Sequence, residues 1–229
     1  MKLGERLAAL ATFVPQGTRL ADIGTDHAYL PIELVQQNRI ISAIAGDVHS
    51  GPYQLAKDNI KALGLEDKIS VRLGNGLAVL SSDEVDTVVI AGMGGSTIIE
   101  ILEKSPEITS SLKRLILQPM VATATVRQWL IANQWCIMEE ALVQDEGKLY
   151  EIVVAEPGHS EELEPIMYDI GMKLWENKPE LLQLHIDNLI NQTKWVLAGM
   201  RGSSAAKQSS KYQEYQKRLE QLEAKKQCL

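Results

Sequence analysis

Through the first two thirds of the 229-residue chain, short runs of aliphatic and β-branched residues alternate with stretches whose apolar positions recur every three or four residues. The runs 19–24 (RLADIG), 42–48 (SAIAGDV), 68–76 (KISVRLGNG), 85–95 (VDTVVIAGMGG) and 114–120 (RLILQPM) predict five strands. Helical spacing between them predicts helices over 30–39, 51–64, 96–106 and 125–134, preceded by an N-terminal helix carrying Leu3, Leu7, Leu10 and Val14. Strands separated by helices in this way imply a parallel sheet with crossover helices. Residues 135–144 and 148–158 then flank DEGK, which predicts two antiparallel strands joined by a turn with Gly147 at positive φ.

The stretch AEPGHSEELEP (155–165) breaks the alternation with Pro157, Gly158, Pro165 and an acidic run, and predicts a boundary. We divide the chain there into an α/β domain, 1–158, and a helical domain, 159–229. Beyond the boundary one apolar stripe holds Leu163, Ile166, Met167, Ile170 and Leu174. A second holds Leu182, Ile186, Leu189 and Val196, and a third holds Tyr212, Tyr215, Leu219 and Leu222 at near-heptad spacing. GMRGSSAAKQSS (199–210) carries loop signals. A small helical hairpin or antiparallel coiled coil beside the sheet is expected, its stripes serving as core.

Charge and cysteine content narrow the classes further. Glu5 and Arg6 interrupt the N-terminal apolar pattern, so it carries no signal-peptide segment. No stretch approaches the roughly 18 apolar residues of a membrane span, and a cytoplasmic location is expected. Cys136 and Cys228 are too few for a disulfide framework, and no metal site is implied. The net charge of −7 is unevenly spread: nine acids face one base between Glu139 and Glu164, whereas eight bases face three acids from Ile190 onward. The basic end suits a phosphate-bearing partner, and Lys194, Arg201, Lys207, Lys211, Lys217 and Arg218 are its candidate contacts. A solvated helix face explains the same charges.

Each candidate site motif falls at the carboxyl end of a predicted strand, where open α/β sheets bind ligands. Asp22 and Gly24 close the first strand, and Asp47 closes the second 23 residues after Gly24, near the roughly 20-residue spacing at which an acid meets ribose hydroxyls. Val48 follows Asp47; Gly74, Asn75 and Gly76 end the third strand, where the amide suits an adenine edge. Ala91, Gly92 and Met93 end the fourth. Where a dinucleotide-binding turn carries its second and third glycines, this chain has Asp26 and Ala28, with His27 between them. A carboxylate there would repel a pyrophosphate, but it suits a ligand bearing ammonium and sulfonium groups, such as S-adenosylmethionine. Asp26 reads alternatively as a helix N-cap, Tyr29 as a core residue or a stacking face, and Gln118 as ordinary strand-end punctuation.

Taken together, LADIGTDHAYLP, AIAGDV, GNGLAVL, VVIAGMGG and LILQPM closely resemble the bacterial TrmK family of tRNA methyltransferases, which modify N1 of adenine 22 in the D-arm. The resemblance runs through nearly the whole chain. It implies a class I (Rossmann-like) methyltransferase sheet, S-adenosyl-L-methionine as cofactor, and a coiled-coil-like C-terminal domain that engages tRNA; no protein partner is implied. One departure is Asn75, where the family commonly has an acid.

N1 of adenine has a free lone pair, so alignment can serve where a strong base is not required. The absence after the fourth strand of the Asp/Asn-Pro-Pro-aromatic motif, used on exocyclic amines, agrees with this. Because the base must be splayed out, Tyr29 and Met93 are candidates to hold it, and Asp26 or Gln118 to bond its amino group. A methyltransferase acting on another acceptor, or a non-catalytic RNA-binding protein, remains open from the residues alone.

Overall fold

The computed structural model describes residues 3–229. The chain forms two compact units, Met1–Glu161 and Glu162–Leu229. In the first, α1 (Glu5–Thr12) precedes β1 (Thr18–Ile23), α2 (Tyr29–Gln36), β2 (Ile40–Asp47), α3 (Ser50–Ala62) and β3 (Ile69–Leu73). A 3-10 turn, Gly76–Val79, leads to β4 (Thr87–Met93), α4 (Gly95–Glu103), α5 (Pro106–Ser111), β5 (Arg114–Pro119) and α6 (Thr123–Ala132). The hairpin of β6 (Trp135–Asp145) and β7 (Lys148–Pro157) completes the sheet. Glu146 and Gly147 turn this hairpin with φ of 48° and 76°, the left-handed pair that suits strand twist.

The seven strands form one sheet in the order β3-β2-β1-β4-β5-β7-β6. β1 to β5 are parallel, and β7 runs antiparallel between β5 and β6. Period-two alternation gives the sheet two cores. Val88 and Ile90 of β4, with Leu115 and Leu117 of β5, face one core with Ile98 of α4 and Val126 of α6. Val89 and Ile116 face the other, with Leu10 of α1, Ile32 of α2 and Ile60 of α3. Burial on both faces explains why these strands read as continuous apolar runs.

One charged cluster lies within this packing. The fully buried Arg127 donates from Nε to Glu140 Oε1 at 2.6 Å and from Nη2 to Glu151 Oε2 at 2.7 Å, tying α6 to β6 and β7. Burial disfavours the guanidinium charge, yet the two carboxylates outweigh it and raise its pKa above the ordinary arginine value.

The second unit contains α7 (Pro165–Ile170), α8 (Met172–Asn177), α9 (Leu182–Met200), α10 (Ser204–Lys207) and α11 (Ser210–Lys226). Lys194 pairs with Glu223 and Lys226 with Asp187, so α9 and α11 run in opposite directions, as expected of a helical hairpin. The stripe expected over 163–174 is divided, because Gly171 at φ 94° ends α7 and starts α8, and Leu163 precedes the helix. On α9 the buried line is Leu182, Ile186, Ile190, Thr193 and Leu197, so Leu189 and Val196 lie beside it, half-buried. The expected loop over 199–210 is shorter, since α9 runs to Met200 and α10 occupies part of it. No helix among the described residues is long and apolar enough to cross a membrane.

Candidate functional site

Strand order reverses beside β1, with β2 on one side and β4 on the other, and this switch point opens a crevice at the carboxyl ends of the strands. A cavity of about 500 Å³ lies there, lined by Gly24, Asp47, Val48, Gly74, Asn75, Gly76, Ala91, Gly92 and Met93. Its volume falls within the range of small-molecule sites. His49, Thr97, Glu100 and Lys104 also line it, and no motif of the sequence announces them. A second cavity of about 240 Å³ shares Gly24 and Ala91 with the first and adds Arg6, Asp22, Thr25, Asp26, His27 and Tyr29. Apart from Gln118, the residues expected to form one site therefore line two adjoining cavities.

The turn after β1 joins them. Gly24 has φ 77°, the left-handed region that favours glycine, and the end of the Met93 side chain packs against it, its Cε 2.3 Å from where a Cβ would stand. Gly24 and Thr25 donate their N–H groups to Gly46 O at 2.8 and 3.1 Å. Asp26 and Ala28 are also left-handed, at φ 54° and 57°. Ala28, not Asp26, occupies the N-cap of α2, and no side chain caps that helix. The Asp26 side chain remains 64% exposed, 3.5 Å from His27 Nε2. His27 in turn stacks on Tyr29, their centroids 5.0 Å apart and their planes 11° from parallel. Tyr29 is half-buried and belongs to the cavity wall.

Two buried carboxylates stand at the strand ends. Asp47 accepts from the His49 N–H at 2.9 Å and the Asp26 N–H at 3.3 Å, which fixes its orientation at the rim of β2. Asp22 accepts from the Thr25 hydroxyl at 2.6 Å. Burial pushes its pKa up to about 6; the Thr25 hydrogen bond opposes this, Asp47 adds to it, and Arg6 opposes it.

Gln118 departs from its expected role. It is fully buried and lines neither cavity; its Oε1 accepts from Arg6 Nη1 at 2.8 Å and from Gly92 N at 3.1 Å, while Nε2 donates to Pro119 O at 3.1 Å. With both ends of the amide engaged inside the fold, Gln118 holds Arg6 and the Gly92 backbone in place instead of meeting a substrate.

The six basic candidates of the second unit divide as well. Lys194 pairs with Glu223 at 2.7 Å, and Arg218 with Asp169 at 2.8 Å. Arg201, Lys207, Lys211 and Lys217 are exposed and make no ion pair among the described residues.

A buried acid at the second strand end, an amide at the third, glycine walls and acids at the first turn together suit an adenosine-bearing cation. Comparison with known proteins agrees. The model of the family described as TrmK, tRNA (adenine(22)-N(1))-methyltransferase, matches residues 20–224. A tRNA (adenine(22)-N(1))-methyltransferase of Bacillus subtilis is 42% identical over 158 residues, covering 69% of this chain and 66%, just under two thirds, of that protein. A Streptococcus pneumoniae structure in complex with S-adenosyl-L-methionine is 36% identical with a TM-score of 0.88, covering 98% of this chain and 99% of that one. M. capricolum TrmK, solved with S-adenosyl-homocysteine, is 29% identical with a TM-score of 0.86 over 99% of each chain. The chain belongs to the TrmK family of tRNA (adenine(22)-N(1))-methyltransferases.

Proposed function

We propose that the protein transfers a methyl group from S-adenosyl-L-methionine to N1 of adenine 22 in tRNA. The observation that carries this reading is the oriented, buried Asp47 carboxylate in a glycine-lined cavity at the switch point, beside a turn bearing acids where a dinucleotide site has bare backbone. When bound, S-adenosyl-L-methionine supplies an electrophilic methyl group on a sulfonium. Asp47 accepts from the ribose hydroxyls, Asn75 meets the adenine edge, and Gly74, Gly76 and Gly92 leave room for backbone approach. Asp22 and Asp26 place negative charge next to the cationic end, with His27 at the same wall.

The acceptor adenine is flipped out of the RNA and held against the stacked His27 and Tyr29 pair, with Asp26 at its amino group and Met93 as the apolar contact. Its N1 lone pair needs no proton removed, so these residues act by alignment and electrostatics. Arg201, Lys207, Lys211 and Lys217 contact tRNA phosphates; Lys194 and Arg218 do so only by exchanging their internal partners. A tRNA substrate implies a cytoplasmic location.

Incubation with labelled S-adenosyl-L-methionine and unmodified tRNA, followed by nucleoside mass spectrometry, tests the reading. N1-methyladenosine is expected with the native tRNA and not with a transcript carrying guanosine at position 22. Transfer to neither, with cofactor binding intact, directs the search to another acceptor.

A further inference from the structure

A base swung out of a stacked helix leaves a vacant step between its neighbours, and an apolar side chain that enters the step replaces part of the lost stacking. Such a wedge is apolar, projects from the protein before RNA arrives, and stands on backbone fixed beside the pocket that takes the base. Met120 and Val121, in the turn between β5 and α6, are 45% and 66% exposed and belong to neither core. The Met120 N–H donates to Met93 O at 2.8 Å and the Gly95 N–H to Val121 O at 2.9 Å, which locks this turn to the one after β4. A Cβ at Gly95 would stand 2.6 Å from Ala122 O, so the two turns pack backbone against backbone. The Met120 side chain is held as well. Buried Gln118 donates from Nε2 to its sulfur at 3.6 Å, and the same amide fixes the Gly92 N–H through Oε1 at 3.1 Å. Both Gly92 and Met93 line the larger cavity. Val121 is β-branched and therefore stiff at χ1. Residues 91–99 and 118–126 contain no acid or base. This part of the rim suits the face of a base and offers nothing to a phosphate.

We infer that Met120 and Val121 form a wedge that enters the base stack of the tRNA at the step adenine 22 vacates, and so keep that base out of its helix. The inference rests on adenine 22 of tRNA as the acceptor. The wedge acts on the opening of the base and takes no part in methyl transfer. Gln118 is a positioning residue that fixes Met120 relative to Gly92.

Methyl transfer to two substrates separates this role from a direct part in the reaction: the unmodified tRNA, and the same tRNA with an abasic unit opposite adenine 22, which loosens the base before the protein arrives. The double variant Met120→Ser, Val121→Ser is expected to lose about tenfold or more in kcat/KM on the first and to come within about twofold of the unaltered protein on the second. Restoring apolar bulk with Met120→Leu, Val121→Ile should recover most of the loss. Calorimetry should find the affinity of the serine variant for S-adenosyl-homocysteine within about twofold of the unaltered protein's, the mark of an intact cavity. Equal losses on the two substrates mean that the pair does not act on base opening, and they overturn the assignment. An undiminished rate on the unmodified tRNA overturns it too, as does a parallel loss of S-adenosyl-homocysteine affinity, which would show a disturbed cavity. If the unaltered protein methylates neither tRNA, the acceptor reading fails and the wedge with it.

Discussion

The N–H of Asp26 donates to the carboxylate of Asp47 across 3.3 Å, joining the turn after β1 to the end of β2. The group proposed to hold the ribose thus also holds the loop proposed to face the acceptor. Asp47→Asn keeps an acceptor but loses the charge, and it should weaken S-adenosyl-homocysteine by about 1.5–3 kcal/mol, the worth of hydrogen bonds to a charged group. Calorimetry measures it; unchanged affinity would remove Asp47 from the ligand.

Asp22 gives the fold a pH dependence of definite sign. Its folded pKa of about 6 lies above the ordinary aspartate value, so folding favours the protonated form. That stabilisation is complete below about pH 4 and is lost as pH rises through 6, a difference on the order of 3 kcal/mol. Asp22→Asn retains an acceptor for Thr25 and should melt higher than the native protein at pH 7 but not at pH 4. A melting difference of the same size at both pH values would contradict the assignment.

Arg127→Met leaves Glu140 and Glu151 without their shared cation inside the fold, and a loss of about 3–5 kcal/mol is expected in denaturant titrations. Adding Glu140→Leu to that variant should recover part of the loss, because one stranded carboxylate is removed. A double variant no more stable than the single would show that packing, not charge, dominates there.

The exposed bases make a contrast with the paired ones. Replacing Arg201, Lys207, Lys211 and Lys217 by Gln should weaken tRNA binding and flatten its log–log salt dependence by about 0.7–0.9 for each phosphate no longer neutralised. Lys194→Gln, whose charge is engaged by Glu223, should change the salt slope less. A slope that is unmoved by the fourfold replacement rules these residues out as phosphate ligands.

The sheet was legible because its strands are apolar on both faces and its helices are spaced between them; Val88, Val89 and Ile90 announce a buried strand wherever they occur. The cavity-lining residues at strand ends were legible for the same reason, since position in the α/β alternation gives position at the crevice. α5 was not, because six residues from Pro106 are too few to show periodicity. Gly171 divides a stripe whose apolar spacing continues across it, so only the backbone angle reveals the break. Arg6 and Gln118 meet across 112 positions of sequence, and no local pattern tells that one will engage the other's amide.

The turn from Gly24 to Ala28 places two residues with side chains, Asp26 and Ala28, in left-handed backbone. Each such residue disfavours the loop by roughly 1 kcal/mol, against which stand the hydrogen bonds of Asp26 to Asp47, of Gly24 and Thr25 to Gly46, of Thr25 to Asp22, and of the Asn59 amide, which donates to His27 O at 3.0 Å. The loop is preloaded: part of what its hydrogen bonds contribute goes to holding left-handed backbone, and of all the walls of the site it should be the first to spring open when heat or denaturant slackens those restraints.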